Sequence, residues 1–321
     1  MDFQILLSNL TNPTLLFFVL GILATTVKSD LEIPESSSKF ISIYLLFSIG
    51  FKGGQELSHS GFTSEIAYSL LFGLALASLI PLYTFFILKR KLSISDSGAI
   101  AAAYGSVSAV TFVAAASFLE AQKISYSGYM VAVMALMESP AIIVGVILMM
   151  KFEKDNSSSV NLKSVIRHSF TNGSVLMILG SLIIGMIADT KQAEGIKPFT
   201  TDIFKGFLVI FLLEMGIVTA KRFSAFRKYG MYVTLFAIII PAINGSVVAY
   251  LSQFITPDIG NRFIFSILAA SASYIAVPAA MRLAAPKADP GLYIPMALGV
   301  TFPFNITVGM PLYSMIINFS G

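Results

Sequence analysis

Ser97 to Ser117 reads SGAIAAAYGSVSAVTFVAAAS, and 15 of its 21 residues are Gly, Ala, Ser or Thr. A helix facing lipid would be built from Leu, Ile, Phe and Val. A run this small-sided packs closely against protein on every side, as apposed membrane helices do. At its centre Gly105-Ser106-Val107-Ser108 supplies a flexible point and two hydroxyls. That composition predicts a helix broken inside the membrane, its freed backbone groups turned to a polar cavity. A plain packing helix is the alternative.

A second copy favours the break. Residues 266–286 read SILAASASYIAVPAAMRLAAP, with 11 of 21 positions small. Ser106-Val107-Ser108-Ala109-Val110 aligns with Ser271-Ala272-Ser273-Tyr274-Ile275 at an offset of 165. The preceding runs, LLFSIGFKGG around Gly50 and FLLEMGIVTA around Gly216, align at 166. Downstream, Tyr129 pairs with Tyr293 and Pro140 with Pro303, at 164 and 163. A nearly constant offset over half the chain marks an internal duplication.

Composition sets the class. The chain is 56% hydrophobic and 12% charged, with a mean hydropathy of +0.82, which excludes an ordinary globular protein. Without cysteine there is no disulfide, thiol chemistry or Cys-based metal site, and two histidines leave little room for a metalloenzyme. No nucleophile constellation is visible: Ser58-His59-Ser60 lacks a partner acid and an oxyanion hole. His59 and His168 are expected in solvated loops. The basic balance fits cytoplasmic loops rather than nucleic-acid binding. Asp2, with no Lys or Arg before the first apolar run, argues against a cleavable signal peptide.

The expected fold is an all-α integral membrane protein of about ten spans. They fall at roughly 12–28, 37–51, 64–88, the small-residue segment and 127–150, then 173–189, 200–220, 230–255, 262–283 and 291–319. The division is a first five-helix repeat (1–150), a polar linker (151–172) and a second repeat (173–321). Five spans per repeat is odd, so the copies enter the membrane from opposite sides. Inverted repeats, each with its fourth helix broken at the midplane, are a common transporter construction. Of 21 Lys and Arg, 15 fall in loops on one side, including Lys154, Arg227 and Lys228. Only Lys52, Lys123, Lys191, Lys197, Lys205 and Arg262 fall near the other. The positive-inside rule makes the first side cytoplasmic and puts both termini outside.

Two half-helix N-termini facing each other would suit an anion through unpaired N–H groups and dipole ends. Hydroxyls of Ser106, Ser108, Ser271 and Ser273 would donate to the anion or offer oxygens to a cation. No Lys or Arg lies within either break, which favours a small singly charged species. Dipole ends plus hydroxyl bonds summing to about 4–8 kcal/mol correspond to roughly millimolar to micromolar affinity. The candidate substrate residues are Gly105, Ser106, Val107, Ser108, Ala272, Ser273 and Tyr274. The candidate cation residues are Thr111, Glu138, Ser271, Ser273 and Asn305. Glu138 reads as a cation ligand or proton carrier, or as paired with a polar neighbour, since intramembrane carboxylates are costly. Glu214 reads equally as an ion-path residue or a buried hydrogen-bonded group. Thr111, Thr301 and Asn305 line the site or join helices. Tyr274 donates to the anion or fills space.

Several motifs resemble the SbtA-type sodium-dependent bicarbonate transporters over nearly the whole chain. They are LEIPES (31–36), IGFKGG (49–54), YGSVSAVTFVAAASFLEAQKISY (104–126), MESPA (137–141), the AASAS run with Pro278 and Arg282, and YIPMALGVTFPF (293–304). The resemblance implies a Na+-coupled bicarbonate symporter of the bacterial inner membrane, with no cofactor beyond Na+. It implies a substrate site at the two breaks, a core moving against a gate domain, a homotrimer and a PII-like regulatory partner. The departures are specific. The family pattern GAVSGSTM is here GSVSAVTF, so Ala109 and Val110 replace a glycine and a serine. Ser-Ser-Ser-Asp is here Ser271-Ala272-Ser273-Tyr274, a tyrosine in place of the acid, and MDIP becomes Met137-Glu138-Ser139-Pro140. The central loop is short. The other readings are a Na+- or H+-coupled carrier of another small anion, such as a short carboxylate, and an anion channel.

Overall fold

The computed structural model describes residues 13–61, 63–153, 162–226 and 230–320. Lys154, Ser158, Arg227, Lys228 and the N-terminal residues read above, Asp2 among them, lie outside the described residues. The described chain is helical, without strands. The helices are α1 (Pro13–Thr26), α2 (Glu35–Ser60), α3 (Ser64–Leu88), α4 (Ile94–Gly105), α5 (Ala109–Ala121) and α6 (Tyr129–Phe152). After them come α7 (Leu162–Thr171), α8 (Gly173–Ile187), α9 (Thr190–Lys197), α10 (Phe204–Phe226), α11 (Met231–Leu251), α12 (Ile259–Ala270), α13 (Ala276–Ala284) and α14 (Pro290–Ser320). Their starts follow capping chemistry: Thr63, Ser93, Asn172 and Asp258 each accept a backbone N–H two or three residues on, satisfying an otherwise orphaned donor.

Among the described residues, six helical stretches are long and apolar enough to cross a bilayer, and seven if α7 and α8, bent by 49°, are one span. The expected count of about ten also included short α1, the interrupted pair α12–α13, and α2, which carries Lys39, Lys52, Gln55 and Glu56. Leu71 and Leu79 on α3 and Ile183, Ile184 and Ile187 on α8 are exposed, the apolar belt that hydrocarbon requires. The small-residue segment behaves oppositely. Its apolar window is 89% buried, against 33% for α3, so α4 and α5 form the centre of the molecule.

One stretch departs from its sequence reading. Residues 162–171, expected within a polar linker, form α7, which packs against α6 and α13. Val165 and Ser169 are buried, and Ser139 Oγ donates to the Ser169 carbonyl at 3.0 Å. His168, expected in a solvated loop, is on this helix and half-buried, its Nε2 buried without a partner among the described residues. The side chain of His59 lies outside the described residues.

Two helix pairs flank the core, α1 with α10 and α2 with α8, and both cross through glycine. A Cβ on Gly21 would fall on the Leu213 carbonyl and 3.0 Å from the Gly216 Cα. A Cβ on Gly185 would fall on the Phe51 carbonyl and 3.1 Å from the Gly54 Cα. Gly185→Ala is therefore expected to cost about 1–3 kcal/mol through overpacking. Gly180→Ala on the same helix, with open space around it, should be neutral or stabilising by up to about 1 kcal/mol. Thermal midpoints of the detergent-purified variants would check the contrast.

Candidate functional site

Both small-residue segments break where the serines stand. α4 ends at Gly105, whose missing side chain leaves room for Pro81 of α3. Ser106 then leaves the helix at φ −80, ψ 168. α12 ends at Ala270, and Ser271 leaves at φ −82, ψ 167. The two exits share one backbone geometry at the positions that the offset of 165 pairs. α5 restarts after Ser108, whose hydroxyl accepts the Thr111 N–H at 3.2 Å. α13 restarts at Ala276 with no side-chain cap on Ile275.

The breaks close directly on each other. Ser108 N–H donates to Ser271 Oγ at 3.0 Å, and Ser273 N–H donates to the Ala103 carbonyl at 2.8 Å. These bonds use N–H groups that the sequence reading offered to an anion. The carbonyls freed at the end of α12 are also taken. Asn244 Nδ2 donates to Ala269 at 3.3 Å and Asn305 Nδ2 to Ala270 at 2.8 Å. Behind them, the Tyr83 hydroxyl donates to Asn244 Oδ1 and the Tyr313 hydroxyl to Asn305 Oδ1. Tyr104 and Thr301 share a 2.7 Å bond, and Thr301 donates onward to the Ala237 carbonyl at 2.8 Å. Asn305 and Thr301 sit in or beside the π-helical turns Met296–Thr301 and Asn305–Gly309, flanking Pro303, which has no N–H to give.

Beside the crossing lies a cavity of about 10 Å³, room for about one water. Val107, Ser108, Ser273, Tyr274 and Glu138 line it, all candidates from the sequence. Ala109, Ile275 and Ser174, at the start of α8, complete the wall. Glu138 is 4% exposed, and its carboxylate makes no hydrogen bond or ion pair with any described residue. A buried, unpartnered carboxylate beside hydroxyl oxygens has the chemistry of a small-cation ligand or proton carrier.

The remaining candidates do other work. Gly105 packs on Pro81, and Ser106 Oγ donates to the Glu138 carbonyl at 3.2 Å. Ser271 Oγ accepts from Ser108 and donates to the Leu268 carbonyl at 3.0 Å. Ala272 and Thr111 are buried, but neither lines the cavity. Of the five candidate cation residues, only Glu138 and Ser273 meet there. Tyr274 reaches across to α10, its hydroxyl 3.6 Å from Met215 Sδ. Next to Met215, Glu214 is buried, bonded to the Ser38 side chain but with Oε2 unpartnered among the described residues.

Four residues at the site escaped the sequence reading, Asn244 and Ser174 and the tyrosines Tyr83 and Tyr313 behind the amides. Asn244 is a lone amide in the apolar run AIIIPAINGS, a signal that could have marked it. Ser174 had no such signal.

No curated protein matches the chain by sequence. The family model for the Na+-dependent bicarbonate transporter superfamily matches residues 13–318, spanning both breaks and the flanking helix pairs. That is a family of transporters, not enzymes, and its multi-pass membrane character agrees with the apolar helices. The chain belongs to the Na+-dependent bicarbonate transporter superfamily.

Proposed function

We propose that the protein is a secondary active carrier that moves bicarbonate together with Na+ by alternating access. In this reading α4–α5 and α12–α13 are the fourth spans of two inverted five-span repeats, and they meet near the bilayer midplane. The observation that carries it is the pair of breaks: equal exit geometry, mutual closure, and an unpartnered carboxylate in the cavity beside them. The glycine crossings support the repeat, because α1 with α10 and α2 with α8 are exchanged when the first and second spans of the two copies are swapped. Those helix pairs would form the gate and the broken helices the core. With room for one water, the site has the form of an occluded or resting state that must widen to admit bicarbonate.

The side with more cations would be cytoplasmic and the termini external. A bacterial inner-membrane location, a homotrimer and a PII-like partner are parts of the proposal carried by the resemblance alone.

Glu138 favours one second reading, proton coupling, in which its carboxyl carries the coupling ion and the anion is bicarbonate or a short carboxylate. Purified protein in liposomes would separate these readings, with Na+ and pH gradients imposed in turn. Saturable bicarbonate uptake driven by the Na+ gradient alone is the expected result. Uptake driven only by the pH gradient would establish proton coupling, and non-saturating flux would establish a channel.

A further inference from the structure

Two motifs stand apart from the breaks, IGFKGG (49–54) and LEAQKISY (119–126). They come together on one open pocket of about 350 Å³. Lys52 and Glu56 enter it from α2, Glu120 and Lys123 from the end of α5, and Lys205 from α10. Each of these charged residues is exposed, so the pocket is wet, with Glu56 the one partly desolvated charge. Three lysines against two glutamates leave it net positive, and Glu120 is already occupied by Lys205, Nζ to Oε1 at 2.9 Å. Lys123 is in no ion pair among the described residues, and Lys52, one turn from Glu56 and in its electrostatic reach, makes no direct ion contact with it. Ser48 on the same wall is 1% exposed, its hydroxyl turned toward that of Tyr44. Lys123 holds φ at +59°, a left-handed conformation uncommon outside glycine, and this brings the chain round at the end of α5.

The pocket and the breaks share one helix, α5. The pocket wall includes Ala116 on α5, eight residues from Ser108, or about 12 Å along the helix. Lys52, Lys123 and Lys205 are three of the six cations that the sequence places on the cation-poor side of the membrane.

We propose that this pocket is an outer vestibule that collects a small monovalent oxyanion between Lys52 and Lys123, and that the Lys205–Glu120 pair ties the half-helix α5 to α10. The proposal rests on the transport reading above. Its chemistry is electrostatic focusing: cations lining a concave surface raise the local concentration of an anion, and salt weakens the effect. A cation vestibule is disfavoured, because one of its two carboxylates is already paired.

The test is bicarbonate uptake by the full-length protein in liposomes at low ionic strength. Lys52→Gln/Lys123→Gln is expected to raise the half-saturating bicarbonate concentration about three- to tenfold, with the maximal rate retained and the gap narrowing as salt is added. Lys52→Arg/Lys123→Arg should restore the wild-type value, and Lys197→Gln, outside the pocket, should match wild type. An unchanged half-saturation in the double glutamine variant, or a loss that the arginine pair does not restore, overturns the vestibule. Absence of saturable uptake by the wild type would instead overturn the transport reading, so the two failures are distinguishable.

Discussion

Ser108→Leu is expected to abolish bicarbonate uptake while leaving a folded protein. Ser108 is 4% exposed and serves both the helix and the crossing. Its hydroxyl caps Thr111, its N–H reaches Ser271, and its side chain lines a cavity of about 10 Å³. Leucine removes the cap, a loss of typically about 1 kcal/mol. It also forces a branched side chain into a space for one water, an overpacking cost of about 1–3 kcal/mol. A protein with a broad buried core survives a loss of that size, but the site between the breaks does not. Ser108→Ala keeps the space and loses only the hydroxyl, so it should retain partial uptake. Ser273→Leu should reproduce the block from the other break, because Ser273 lines the same cavity. Uptake rates and thermal midpoints, measured on the same preparations, check this. Full uptake by Ser108→Leu would remove the paired breaks as the substrate site.

What the sequence could reveal follows from which signals are local. A break is eased by small side chains, and these are written at 97–117, with Gly105 among them, and again 165 residues on, where no glycine is present. So Ser106 and Ser271 were legible, down to their equivalence. The α7 helix was not. Its sequence, LKSVIRHSFT, dilutes Val165 and Ile166 with Lys163, Arg167 and His168, and by composition alone it reads as a solvated linker. Its local trace is the helical spacing of Leu162, Val165, Ile166 and Phe170, which composition alone passes over, and packing on α6 and α13 holds the helix in place. The candidate cation residues scattered for a related reason. Composition identifies a hydroxyl or an amide, but backbone direction decides whether it faces a cavity or a freed carbonyl. Asn305 took Ala270 and Ser271 took Leu268, while Ser273 was left to the cavity. Glu138 was legible because a carboxylate in an apolar span is costly wherever it points.

The cost of Glu138 leads to the second large effect, on the coupling ion. Where the family pattern has an acid after its serines, this chain has Tyr274, and Tyr274 and Glu138 line one cavity. Among the residues lining the cavity, Glu138 is the one carboxylate. A carboxylate a few ångströms from Na+ contributes about 4 kcal/mol of attraction at an effective dielectric near 20. Desolvation offsets part of that, and a change of about tenfold or more in Na+ affinity remains. Glu138→Gln is expected to stop Na+-driven uptake or raise the half-saturating Na+ at least about tenfold, because it removes the remaining charge. Tyr274→Asp should act in the opposite direction and lower the half-saturating Na+, its smaller side chain also widening the cavity and giving up the Met215 contact. The pair Tyr274→Asp/Glu138→Gln tests whether the two positions are interchangeable: recovered Na+ dependence would mean that the site requires a charge and not a particular helix. Sodium titrations of uptake at fixed pH distinguish these outcomes. If half-saturation by Na+ is the same in wild type and in both single variants, the coupling ion is not held between these helices. The cavity at Glu138 would then belong to the anion or to a proton.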